Sequence, residues 1–153
     1  MEVLIPALEE KVRARIAELG VIASDSIGSQ MQYEVLGSNE ETREIIMRCK
    51  TFSWMRNGFG TLHGGMCATV VDQAMGFVAH CCKVSDGTAP TVHLSVDYHR
   101  PLVPGEAVLV KVKVVSVTRS LMRFSADAYQ ESNPEKLCLS GSSIFFNKPK
   151  QNP

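Results

Sequence analysis

The sequence has no surplus of either charge: sixteen lysines and arginines stand against sixteen aspartates and glutamates. A surface that wraps nucleic acid or adheres to anionic lipid carries an excess of positive charge, so neither partner class is implied, while a local basic patch can still hold a small anion. An even set of cysteines is also missing. The five present, Cys49, Cys67, Cys81, Cys82 and Cys138, have neither the count nor the spacing of a secreted disulfide framework and point to a reducing compartment. No apolar run reaches the roughly 20 residues that cross a membrane; the run after Gly65 is interrupted by Asp72. The stretch from Val3 to Leu8 is brief, contains Pro6 and soon meets Glu9, Glu10 and Lys11, so it does not read as a secretion signal. Repeats and low-complexity linkers are lacking too. What remains, at 153 residues, is the size of one ordinary domain, expected in the cytoplasm.

Hydrophobic spacing then gives an order of elements. Leu8, Val12, Arg15 and Leu19 recur near helical spacing, which predicts a helix over Pro6 to Leu19 with Gly20 as its stop. Extended pieces are expected at Ser29 to Leu36 and Thr42 to Cys49, separated by Gly37, Ser38 and Asn39. Thr51 to His63 mixes Trp54, Phe59 and Leu62 with Asn57, Gly58 and Gly60, the composition of a structured loop. From Gly64 to about Cys81 the pattern is that of a buried helix. Four strands follow, at Thr91 to Tyr98, Ala107 to Val117, Leu121 to Gln130 and Leu137 to Phe146, rich in β-branched residues with partial alternation. In the second, Val108, Val110, Val112 and Val114 share one face and Lys111 and Lys113 the other, and the Val114-Val115 pair marks either a bulge or a strand covered on both sides. A long buried helix thus precedes four antiparallel strands.

The segment Asn57-Gly-Phe-Gly-Thr-Leu-His63-Gly64-Gly65, followed by Asp72, resembles the HGG motif of the hotdog-fold acyl-CoA thioesterases, especially their phenylacetate-degradation-type branch. Thr91-Val-His-Leu-Ser-Val-Asp-Tyr98 with Arg100-Pro101 resembles the family's strand that supplies a water-orienting serine or threonine, and the likeness covers about Asn57 to Phe146. It implies an α+β hotdog fold, a curved antiparallel sheet wrapped around a central helix. The expected division is an N-terminal helical extension over 1–28, a hotdog domain over 29–148 and a short tail over 149–153. It further implies hydrolysis of a hydrophobic or aromatic acyl-CoA, with coenzyme A as part of the substrate, no cofactor or metal, and self-association as a dimer or a dimer of dimers. Carried over residue by residue, Gly64 begins the central helix, Asn57 positions the thioester, Asp72 acts on it and Thr91 orients water.

The chemistry singles out the same residues. An attacked thioester carbonyl gains negative oxygen character, which an unpaired N–H at a helix start stabilises, and Gly64 has no side chain to block the approach. The plainer reading makes Gly64 and Gly65 a tight loop-to-helix turn. Asp72 interrupts an apolar helix, so its carboxylate needs local compensation; it is a general base, a direct nucleophile forming an anhydride, or a structural group on a solvated face. Asn57 donates its amide to the thioester or fixes its turn. Thr91 orients water or is an ordinary strand residue. His63 shapes the loop, or assists at the leaving thiol.

Gly64 and Asp72 stand eight positions apart, about 12 Å along an ideal helix. One carbonyl cannot reach both, so a shared reaction requires the Asp72 of an antiparallel second copy beside this chain's Gly64, and hence a two-fold dimer with two composite sites. Rival constellations are weaker. Cys67, four residues after His63, lacks a third orienting group, and His80, Cys81 and Cys82 lack zinc spacing. His93, Ser95 and Asp97 alternate on one strand face without a nucleophile elbow. Arg119, Arg123 and Lys148, with Lys150, are candidate contacts for the coenzyme A phosphates. A non-catalytic acyl-thioester binding protein and a hotdog hydratase or dehydratase are the alternative functions.

Overall fold

The computed structural model describes residues 2–84 and 86–147. The chain opens with helix α1 (Ile5–Ile22) and a short helix α2 (Ile27–Gln30), followed by strands β1 (Glu34–Asn39) and β2 (Glu44–Lys50), helix α3 (Gly64–Cys82), and strands β3 (Thr91–Tyr98), β4 (Ala107–Val117), β5 (Leu121–Gln130) and β6 (Leu137–Phe146). The strands form one antiparallel sheet in the order β1-β2-β4-β5-β6-β3. That sheet wraps around α3, whose Val70, Val71, Ala74, Met75 and Val78 are fully buried against it. This is the α+β hotdog architecture that the resemblance implies. No helix among the described residues is long and apolar enough to cross a membrane.

The four late strands and α3 fall where the hydrophobic pattern puts them, because each presents an uninterrupted apolar face to the core. On β4, Val108, Val110, Val112 and Val114 are fully buried, and the register slips between Val114 and Ser116, so Val115 is the bulge residue. The N-terminal third differs. The opening helix runs through Gly20 to Ile22, since Gly20 faces open space and the helix continues at little steric cost. Ser29 and Gln30 belong to α2, capped by Ser26, whose hydroxyl accepts the Ser29 N–H. Gly37, Ser38 and Asn39 do not separate two strands but lie within β1, and the reversal falls at 40–43, where Arg43 takes a positive φ of 59°.

The two sheet edges are treated differently. On β1, Arg13 of α1 donates to the Val35 carbonyl at 2.6 Å and Ser38 donates to Glu9 at 2.5 Å, so the first helix shields that edge. At the opposite end, among the described residues, β3 pairs only with β6 and leaves its outer backbone edge open. An open edge of that length is a template for another strand.

Candidate active site

Asp72 sits midway along α3 on its half-buried side, and the sequence places it where the apolar stripe yields to a cleft. The Thr91 hydroxyl donates to Asp72 Oδ1 at 3.1 Å. By strict alternation Thr91 would share the solvent face of His93, Ser95 and Asp97, and point away from the helix. It does not, because β3 bulges: Thr91 and His93 oppose the consecutive residues Phe145 and Ile144, which makes Val92 the extra residue and turns Thr91 inward. Burial raises the Asp72 carboxyl above the ordinary carboxylate range, and the Thr91 hydrogen bond opposes that rise. The pair stands at the edge of a cleft of about 350 Å³ whose walls include Leu19, Phe77, Pro90 and Phe145.

Gly64, Asn57 and His63 lie at the other end of the helix, beside a separate cleft of about 290 Å³ bordered also by Tyr98 and Arg100. His63 is the helix N-cap: its Nδ1 accepts the Gly65 N–H at 2.9 Å and its carbonyl accepts the Cys67 N–H at 2.9 Å. Nδ1 thereby serves as the cap acceptor of the helix. The Gly64 N–H, first in the helix, has no acceptor among the described residues, as expected of an N-terminal donor awaiting a ligand or water. The Gly64 carbonyl accepts from the Tyr98 hydroxyl at 2.8 Å, which anchors β3 to the start of α3. A Cβ at position 64 would meet Tyr98 at ordinary contact distance, so steric room within one chain does not by itself require glycine there.

Asn57 is engaged on both sides of its amide. Oδ1 accepts the backbone N–H of Phe59 at 2.9 Å and of Thr61 at 3.1 Å, while Nδ2 donates to the Thr61 hydroxyl at 2.9 Å. This Asx turn holds the tight reversal in which Gly60 adopts φ +84°. One N–H of the amide is left for a ligand.

The structure therefore brings Asp72 and Thr91 together, gathers Gly64, Asn57 and His63 at a second place, and does not join the two groups within one chain. Arg119, in the β4–β5 turn, and Arg123, on the outer face of β5, line neither cleft; Lys148 and Lys150 fall outside the described residues. The cations that do border the clefts are Arg100 and, at the far end of the Asp72 cleft, Arg15. Arg100 was visible only as part of the Arg100-Pro101 pattern, and Arg15 only as one step of a helical period. Tyr98 carried no signal of its contact with Gly64, which depends on β3 crossing the head of α3.

The rival constellations do not assemble into the sites their residue types would allow. Burial pushes the Cys67 thiol up to about 11, and its Sγ lies 3.7 Å from the Leu62 carbonyl, a protonated group and not a nucleophile at neutral pH. Cys82, next to His80 and Cys81, is pushed up to about 12, and no group of metal-binding side chains occurs among the described residues. His93, Ser95 and Asp97 face solvent and make no hydrogen bonds to one another among the described residues.

A family model described as thioesterase superfamily matches residues 59–136. Among solved structures, the chain resembles a putative thioesterase related to phenylacetic acid degradation from Ralstonia eutropha, with a TM-score of 0.74, 12% identity and coverage of 89% of this chain and 98% of that one. Thioesterase superfamily member 2 from Mus musculus superposes with a TM-score of 0.67 at 20% identity, over 97% of this chain and 100% of the other. A hypothetical thioesterase from Streptococcus pneumoniae, solved with coenzyme A, gives 0.65 at 17% identity over 79% and 92%. At such identities these likenesses speak for the fold. No curated protein matches the chain.

Proposed function

Because this chain belongs to the thioesterase superfamily, its matched segment reaching from the HGG loop into the late strands, we propose that it hydrolyses hydrophobic or aromatic acyl-CoA thioesters to the free acid and coenzyme A. The HGG sequence favours the phenylacetate-degradation-type branch. The observation that carries the reading is the division of the site: a half-buried carboxylate tied to a threonine hydroxyl at 3.1 Å at one cleft, and at another a helix N-terminal N–H with no acceptor among the described residues. Each is half of what acyl transfer to water needs.

Two copies pair through the open edge of β3, and their antiparallel α3 helices bring the Asp72 of one beside the Gly64 of the other. The thioester carbonyl oxygen accepts the Gly64 N–H, whose helix-end dipole stabilises the charge that develops there. The free N–H of Asn57 helps to hold the same group. A water oxygen attacks the carbonyl carbon while Asp72 takes its proton, and burial that raises the carboxyl makes it a better base. The Thr91 hydroxyl fixes the carboxylate and the attacking water. The tetrahedral intermediate collapses with cleavage of the C–S bond, and the departing thiolate takes up the proton held by Asp72, which restores the carboxylate. No metal or resident cofactor enters these steps.

The test is a panel of acyl-CoA thioesters followed by release of free thiol, with light scattering on the same protein over a concentration series. Thiol release by a dimer or larger assembly is expected. Binding without product release would leave an acyl-thioester binding protein, and full activity in a persistent monomer would overturn the composite site.

A further inference from the structure

The Asp72 cleft does not end at Asp72. It follows one stripe of α3 through Gln73, Gly76 and Phe77 to His80, two turns further on, which is about 12 Å of helix rise. Its apolar walls are Leu19, Ile27, Phe77, Ala89, Pro90 and Phe145, with Ser26 and Gln73 as polar neighbours. Gly76 opens the floor: a Cβ there would come no nearer than 3.9 Å to Phe145, so alanine would fit and would only narrow the channel. Toward His80 the lining changes in kind, with Arg15 from α1 and His80 from α3, which also border the neighbouring cleft. One arm of Arg15, Nη1, meets Glu18 at 2.6 Å, and Nη2 and Nε have no acceptor among the described residues. Burial, followed by the nearby charges of Arg15 and Lys83, holds His80 below the usual histidine range, so the imidazole is neutral near pH 7 and offers a hydrogen bond without a second full charge.

An acyl chain whose carbonyl lies at Asp72 would run along the apolar walls and place its distal end at a guanidinium. An unsubstituted hydrocarbon terminus gains nothing there and desolvates a cation, whereas an anionic one gains a charge-assisted, bidentate contact. Building on the thioesterase reading, we infer that this cleft is the acyl subsite and that Arg15, with His80, selects acyl groups bearing a distal carboxylate. Arg15 is then a specificity-determining residue supplied by the N-terminal helix, not by the strands and loop that resemble the family pattern.

The experiment measures binding, so that it stands apart from whether the protein turns thioesters over. Non-hydrolysable thioether analogues of acyl-CoA, matched in chain length and ending in either a carboxylate or a methyl group, are titrated calorimetrically into the wild-type assembly, Arg15→Gln and Arg15→Lys, with free coenzyme A as reference. Glutamine and lysine both keep the helix propensity of the site and most of the partly buried stem, and the Arg15–Glu18 ion pair they alter lies within α1 at i,i+3. The wild type is expected to prefer the carboxylate-ended analogue by roughly tenfold or more, the scale of one hydrogen bond to a charged group. Arg15→Gln should abolish the preference with the methyl-ended analogue unaffected, and Arg15→Lys should keep part of it. Equal binding of the two analogues by the wild type overturns the inference. So does an equal loss for both analogues and free coenzyme A in Arg15→Gln, which would assign Arg15 to the phosphates. Thiol release measured on the same proteins reports separately on the proposed hydrolysis.

Discussion

At the head of α3 the side chains assigned to the site are tied into the protein itself: Asn57 makes three hydrogen bonds within its own turn, His63 caps the helix, and Tyr98 holds the Gly64 carbonyl. Two turns along, Asp72 has one side-chain partner among the described residues, Thr91, and an open cleft in front of it. The first region is rigid and offers backbone, a donor whose position is set by the fold. The second offers a titratable group whose protonation is set by burial. Acyl transfer needs both properties, and a fixed dipole and a tunable carboxylate are hard to build in the same few residues.

The largest effect expected follows from the carboxylate half. Asp72→Asn keeps the size of the side chain and its capacity to accept from Thr91, but removes the base, so acyl-CoA turnover should fall by about 10²-fold or more. Assembly and binding should persist. The desolvated carboxylate opposes folding at neutral pH, so the variant should melt no lower than wild type. Single-turnover hydrolysis, binding and mass measured together decide the matter; near-wild-type hydrolysis by an assembled variant would remove Asp72 from the chemistry.

The backbone half is addressed by Gly64→Pro. Proline is accepted at the first helical position, and His63, at φ −58° and ψ 138°, already has the extended conformation that precedes it. The substitution deletes one N–H and leaves the helix in place. A fall of about 10² to 10³ in kcat is expected for loss of an oxyanion donor. Co-expressed with Asp72→Asn, each mixed dimer would hold one intact composite site of its two, restoring about a quarter of wild-type activity in a random mixture of dimers. Absence of recovery in confirmed mixed dimers would show that Gly64 and Asp72 do not act across an interface.

Asn57 tests how far structure and chemistry separate at the head of the helix. Asn57→Ala removes three hydrogen bonds of a partly exposed loop, about 1 to 3 kcal/mol, and each kcal/mol lowers Tm by roughly 2–4 °C at this chain length. A loss of about tenfold in kcat/KM should accompany it. Asn57→Asp keeps the Oδ1 acceptor for Phe59 and Thr61 and loses the donor. Recovery of Tm without recovery of kcat/KM is the expected result; recovery of both would reduce Asn57 to a turn residue.

The contrast between the two regions also explains what the sequence disclosed. The late strands and α3 were legible because valines at alternate positions, or apolar residues on one stripe, report burial locally. β1 was not, since its Gly37-Ser38-Asn39 reads as a breaker and is held as strand by β2 on one side and α1 on the other, contacts from distant parts of the chain. Asp72 stood out as a charge in an apolar helix. Asn57 and His63 were found by motif, but their bonds to Thr61 and Gly65 are a matter of turn geometry that residue types leave open. Arg119 and Arg123 are suggested by charge alone, and charge does not say which face of a sheet a residue occupies; Arg15 and Arg100 border the clefts because α1 and the end of β3 pass there.

Thr91 gives the smallest expected effect and the finest comparison, because only a bulge at Val92 turns its hydroxyl toward the carboxylate. Thr91→Val keeps the shape and the β propensity and removes one donor. The hydroxyl favours the ionised form of Asp72, whose carboxyl is already raised above the ordinary carboxylate range by burial. Without the donor the carboxyl rises further. Hydrolysis requires the carboxylate, so the acidic limb of the kcat/KM profile, itself above the ordinary carboxylate range in wild type, should move to higher pH in the variant. Plateau activity should fall only a few-fold. The same shift has a second reading in stability: a carboxyl raised in the folded state holds its proton more tightly there than in the unfolded chain, so ionisation opposes folding increasingly as pH rises from below the unfolded value through the folded one. The Tm deficit of Thr91→Val should therefore be small in acid and larger near neutrality, and Thr91→Ser should restore both the limb and the melting behaviour. If the limb stays in place while Tm changes equally at every pH, the hydroxyl is a packing feature of β3 and the Asp72 half of the site works without it.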